Sequence, residues 1–97
     1  MLSGGERQQL AIAISLVQNP GIIIVDEPSA GVAPDVVKRI AAVLRQLSDK
    51  GAGVIVAEQD LNAFLPVATD VLVMKRGSIN HAGPAEQVSP AKLWDLF

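Results

Sequence analysis

No cysteine occurs among the 97 residues. That excludes a disulfide framework, a thiol nucleophile and Cys-ligated zinc, and it agrees with a reducing compartment. Long hydrophobic runs are also missing: the longest apolar stretches, Leu10 to Ile14 and Ile22 to Val25, fall far short of the ~20 residues that a membrane-spanning helix needs. No basic segment leading into an apolar one opens the sequence, so no secretory signal is expected and the expected location is the cytoplasm. Eight basic residues against ten acidic ones leave a net charge of -2, without the basic footprint that nucleic-acid binding requires. There is no internal repeat, low-complexity tract or run of like charge. What is present is apolar: 49% of residues are hydrophobic and 19% charged. This balance excludes intrinsic disorder, while the length sets a ceiling of one small domain or part of one.

Periodicity and breakers divide the chain. Glu6 to Gln18 reads as a helix, with Leu10, Ile12, Ala13, Ile14, Leu16 and Val17 covering most of its circumference, hence buried on most sides. Asn19-Pro20-Gly21 stops it. Ile22-Ile23-Ile24-Val25 is a β-branched run without alternation, which predicts a central, parallel strand covered on both faces. A second helix is predicted from Pro34, with Asp35 in its first turn and an apolar stripe of Val37, Ile40, Ala41, Leu44 and Leu47. Lys50-Gly51-Ala52-Gly53 ends it, and Val54 to Ala57 is the next strand. A short helix is predicted from Asp60, as N-cap, to about Ala68, broken near Pro66. Asp70 to Met74 and Ser78 to Ala82 read as antiparallel strands around Lys75-Arg76-Gly77, with Gly83-Pro84 ending the hairpin. Two helical turns follow, over Pro84 to Val88 and Pro90 to Phe97. This order predicts an α/β fold with a mostly parallel sheet, flanking helices and a C-terminal antiparallel hairpin.

Two short motifs carry chemistry. In Ser3-Gly4-Gly5-Glu6 the S-x-x-E spacing fits a helix capping box, while two glycines before a helix N-terminus also leave amides and the positive dipole end open to an anion such as phosphate. Asp26-Glu27 puts two carboxylates at the exit of a buried strand, where ligands sit in open α/β sheets; a plain acidic turn is the other reading. The run Leu2-Ser3-Gly4-Gly5-Glu6-Arg7-Gln8-Gln9 resembles the signature motif of ABC-type ATPases, and Ile22 to Glu27 resembles their Walker B strand. The resemblance covers essentially residues 1–97 and implies the later part of one P-loop NTPase domain, with ATP and Mg2+ as cofactors.

It also implies roles. Ser3, Gly4, Gly5 and Glu6 would contact nucleotide held by the opposite subunit, Asp26 would hold Mg2+ through water, and Glu27 would polarise the attacking water. Ser29 to Pro34 occupies the position of the D-loop at the dimer interface, although that loop's usual aspartate aligns with Ala33. Gln59 stands where the family has its switch histidine; a glutamine amide still donates a hydrogen bond to phosphate but carries no positive charge. Gly31-Val32-Ala33-Pro34 and Glu58-Gln59 resemble the subgroup serving branched-chain amino acid importers. The implied partners are a second ABC ATPase subunit, identical or not, membrane permease subunits and a solute-binding protein, with the chain peripheral on the inner face of the cell membrane and no nucleic acid involved.

Other features take plainer readings. Arg7 is either a surface charge or a guide for nucleotide phosphates. His81, without a second ligand at metal spacing, reads as solvated or packed, and Trp94 with Leu93 and Phe97 as a docking helix face. No G-x-x-x-x-G-K-[ST] phosphate loop occurs in the 97 residues. Met1 directly ahead of the signature therefore reads as a fragment or as a truncated or split gene, encoding half a site with poor stability and weak nucleotide binding by itself. Two other readings are a non-catalytic remnant or interaction module, and part of a soluble ABC-type ATPase of DNA repair or translation. The acidic balance and the importer-like residues disfavour the latter.

Overall fold

The computed structural model describes residues 21–96. The predicted first helix, with Ser3, Gly4, Gly5, Glu6 and Arg7, lies outside the described residues, as does Phe97. Strand β1 (Ile22–Asp26) leads through a turn into helix α1 (Pro34–Asp49), which returns the chain to strand β2 (Gly53–Ala57). The strands are parallel and in register, from Ile22 opposite Gly53 to Asp26 opposite Ala57. A parallel pair needs such a crossover, and a helix is its usual form. Proline at the start of α1 supplies the right φ and has no amide to leave unpaired; Ala33 before it is extended, and Asp35 lies in the first turn. At the other end the Lys50 amide donates to the Gln46 and Leu47 carbonyls and the Ala52 amide to Leu47. Gly51 takes a φ of 103°, a reversal that a side chain would oppose.

The expected stripe is the core: Val37, Ile40, Ala41, Leu44 and Leu47 bury against Ile23, Val25 and Phe64. The strand differs from expectation. Ile23 and Val25 are buried, but Ile22 and Ile24 are 69% and 73% exposed, with Ile55 beside Ile24 also bare. Successive strand side chains point to opposite faces, and among the described residues α1 covers only one of them. The parallel sheet is likewise a single pair among the described residues, separate from the hairpin. Replacing Ile22 and Ile24 together by threonine is therefore expected to change stability by no more than about 0.5 kcal/mol per site. Urea unfolding of the chain checks this, and a loss of several times that size would mean that the bare face is packed in solution.

After β2, Asp60 caps the short helix α2 (Leu61–Phe64) by accepting the Ala63 amide at 3.2 Å, and Pro66 diverts the chain into a 3-10 turn over Leu65–Val67. Arg45 of α1 donates to the Val67 carbonyl at 3.2 Å, tying that turn down. Strands β3 (Asp70–Lys75) and β4 (Ser78–Pro84) form the expected hairpin. Its two-residue loop, Arg76 and Gly77, has φ of 51° and 79°, the left-handed pair that matches strand twist. β4 runs through Pro84, past the expected end, because Gly83 and Pro84 still pair with Val71 and Asp70. The register slips between Val73 and Met74, leaving Asn80 as the extra residue. Its amide donates to the Leu96 carbonyl at 3.0 Å, holding helix α3 (Pro90–Leu96). Leu93 is the α3 residue that buries, whereas Trp94, expected to dock, is 60% exposed. His81 Nε2 is buried without a hydrogen-bond partner among the described residues, in keeping with a packed side chain.

Candidate functional site at the strand ends

In-register parallel strands leave the sheet together. Asp26 closes β1 opposite Ala57, which closes β2, so Glu27 and Glu58 emerge side by side. The Glu27 amide donates to the Ala57 carbonyl at 2.7 Å, one step past the strand. There the backbone turns sharply: Glu27 has a φ of 48°, in the left-handed region that a side chain disfavours. Such residues persist only where their surroundings over-determine them, and they cluster at functional sites. Pro28 is buried beside it. The Ala30 amide donates to the Glu27 carbonyl at 3.1 Å, the Val32 amide to Ser29 at 3.1 Å, and Gly31, at a φ of 69°, completes the loop.

The centre of this arrangement is Glu58. Its Oε2 accepts the Ser29 amide at 3.0 Å. Its Oε1 accepts the Ser29 hydroxyl at 2.6 Å, the Gln59 amide at 2.8 Å and the Asp60 amide at 3.2 Å. Partial burial pushes the Glu58 carboxyl pKa up, but the Ser29 hydroxyl and the Gln59, Asp60 and Ser29 amides outweigh it and hold the group below its ordinary 4.5. A pKa depressed by folding gives stability that is complete above the unfolded value and fades as pH falls through the folded one. The Ser29, Gln59 and Asp60 amide resonances are thus expected to hold steady down to about pH 4.5 and to shift together in more acid solution. NMR titration checks this; three unrelated midpoints would contradict a shared carboxylate.

Asp26, Glu27 and Gln59 all lie exposed at this one strand-end edge. The expected signature residues Ser3, Gly4, Gly5 and Glu6 lie outside the described residues. Sequence reasoning missed the structural part of Glu58, which was read only as half of a subgroup resemblance. Its available signal was position: a carboxylate directly after a strand, ahead of two free amides, in a chain whose other strand also ends in acid. Among the described residues no group of three or more His, Asp or Glu would ligate a metal by itself. Asp26, with Glu27 adjacent, still suits Mg2+, which takes one or two carboxylates and fills its octahedron with phosphate oxygens and waters.

Residues 1–30 match the family model for ABC transporters. Over 89% of the chain the structure superimposes on a nucleotide-free ATP-binding cassette of an ABC transporter, with a TM-score of 0.79 and 34% identity. The fold is that of an ATP-binding cassette. A dimeric cassette in a post-hydrolysis state, bound to ADP and Pi, is similar at a TM-score of 0.74 and 28% identity, over 87% of this chain and 36% of that one. In sequence, 99% of the chain is 33% identical to a phosphonates import ATP-binding protein of Cupriavidus necator, and 96% is 37% identical to an energy-coupling factor transporter ATP-binding protein of Staphylococcus aureus. The chain spans about a third of the length of these relatives, and of the first cassette. Neither relative is described as a branched-chain amino acid transporter. In cassette terms β1 is the acidic-tipped strand, the Glu27 to Ala33 loop follows it, and Glu58-Gln59 begins the segment after β2. No helix among the described residues is long and apolar enough to cross a membrane.

Proposed function

We propose that residues 1–97 form the later part of one ATPase domain in an ABC importer's ATP-binding subunit, with the phosphate loop supplied by another segment. The observation that carries this reading is the common exit of β1 and β2, which sets Asp26, Glu27 and Gln59 on one edge. The reaction is ATP plus water to ADP and phosphate. Glu27, exposed and left-handed, draws the proton of the attacking water; the Gln59 amide donates to a phosphate oxygen. Asp26 would hold Mg2+, which neutralises phosphate charge when bound. In this reading Ser3, Gly4, Gly5 and Glu6 reach nucleotide held by a second such subunit; a similar cassette is dimeric with ADP and Pi bound. Permease subunits and a solute-binding protein complete the complex at the inner membrane face. Gly31 to Pro34 with Glu58-Gln59 favours branched-chain amino acids as the solute class.

A second reading, an interaction module without turnover, is favoured by the lack of a phosphate-loop motif in these 97 residues. Calorimetry separates the two. The chain alone is expected to bind MgATP too weakly to detect at about 100 μM, weaker than about −5.5 kcal/mol. Fused behind a segment that carries a phosphate loop, it is expected to bind and hydrolyse ATP. Micromolar affinity of the chain alone, or a folded fusion that binds without turnover, would count against the first reading.

A further inference from the structure

We infer that Glu58 is a positioning residue, which locks the left-handed turn at Glu27 to the end of β2 and so fixes Glu27 and Gln59 relative to one another. The inference rests on the nucleotide reading above for its consequence, and on geometry alone for its substance.

Glu27 is held on both sides. Ahead of the turn its own amide is bound to Ala57; two residues later Ser29 is bound to Glu58 through both amide and hydroxyl, at 3.0 and 2.6 Å. Consecutive residues of β2 and its exit, Ala57 and Glu58, thus grip both sides of one strained position that is distant in sequence. The same carboxylate takes the Gln59 and Asp60 amides, and Asp60 caps α2, so the backbone at Gln59 is set by the group that sets Glu27. Hydrogen bonds to a carboxylate are stronger and shorter than neutral ones. A carboxylate has about four lone-pair sites, and Glu58 has four donors. Three of these donors crowd onto Oε1 and the fourth takes Oε2, so both oxygens of Glu58 are engaged by the protein, whereas Glu27 is exposed and makes no side-chain hydrogen bond with the described residues. The two glutamates at the strand ends divide the work: Glu27 faces the solvent side and Glu58 aims it.

The test uses the nucleotide-free chain and its NMR spectrum. Glu58→Ala is expected to speed hydrogen exchange of the Ser29, Gln59 and Asp60 amides about tenfold or more, leaving the β1 and β2 ladder amides unchanged. The Glu27 Cα resonance is expected to leave its left-handed position. Glu58→Gln, which keeps one acceptor oxygen, falls between, and Ser29→Ala, a smaller change should Glu58→Ala not fold, moves Glu27 in the same direction. Unchanged exchange and an unmoved Glu27 resonance in both the Ser29 and Glu58 variants overturn the inference. In the phosphate-loop fusion Ser29→Ala is expected to lower kcat about tenfold with KM unchanged, as misplacement of a reacting group does. A local NMR change without any fall in kcat overturns the positioning role. A fusion inactive before substitution overturns the nucleotide reading, while the NMR result still decides whether the lock exists.

Discussion

Glu27→Gln in the phosphate-loop fusion is expected to lower kcat by about 100- to 10,000-fold, the contribution of a positioned general base, while MgATP affinity stays within about twofold. The substitution keeps size and hydrogen-bonding reach and removes the basic oxygen. Because the Glu27 side chain makes no hydrogen bond or ion pair with the described residues, the substitution breaks no such link: the loop's hold on the sheet runs through the Glu27 amide and through Ser29. A fall in kcat with unchanged binding is the mark of an interaction made only in the transition state. Hydrolysis at the unsubstituted rate would end the assignment of Glu27 as base.

Ile40→Ala is expected to abolish cooperative unfolding of the isolated chain. Ile40 is 1% exposed at the middle of the α1 stripe, against Ile23, Val25 and Phe64. Such a deletion costs about 2 to 5 kcal/mol, and small domains hold only about 5 to 15 in total. The bare isoleucines of β1 leave this chain near the lower bound, since the apolar surface they present stays in water. Thermal unfolding followed by circular dichroism checks the expectation. A variant that still melts sharply within a few degrees of the parent would show that the core has support beyond α1 and the strand pair. The contrast with the threonine pair at Ile22 and Ile24 separates buried from bare positions on the same sheet.

The lengths and ends of the elements were legible because their causes are local. Pro34 and Gly51 mark α1 through φ preferences, its stripe follows the 3.6-residue period, and Asp60 caps the helix that Pro66 breaks. The hairpin follows from Arg76-Gly77, though its last pairs, made by Gly83 and Pro84, depended on a partner strand that no local rule names. The burial of β1 depends on partners in the same way: four β-branched residues in a row describe a strand that tolerates burial on both sides, and among the described residues only the face toward α1 receives it.

For the candidate site, residue identity and spacing by themselves determined the acidic pair at Asp26 and Glu27 and its place at a strand exit, while the family resemblance singled out Gln59 just past the end of the next strand. Tertiary structure alone decided that the two exits coincide, that Glu27 turns left-handed, and that Glu58 joins them through Ser29. A turn type or a cap is settled by forces acting over a few bonds. A carboxylate that collects donors from two loops owes its role to the register of two strands, and that register is set by the whole core between α1 and the sheet.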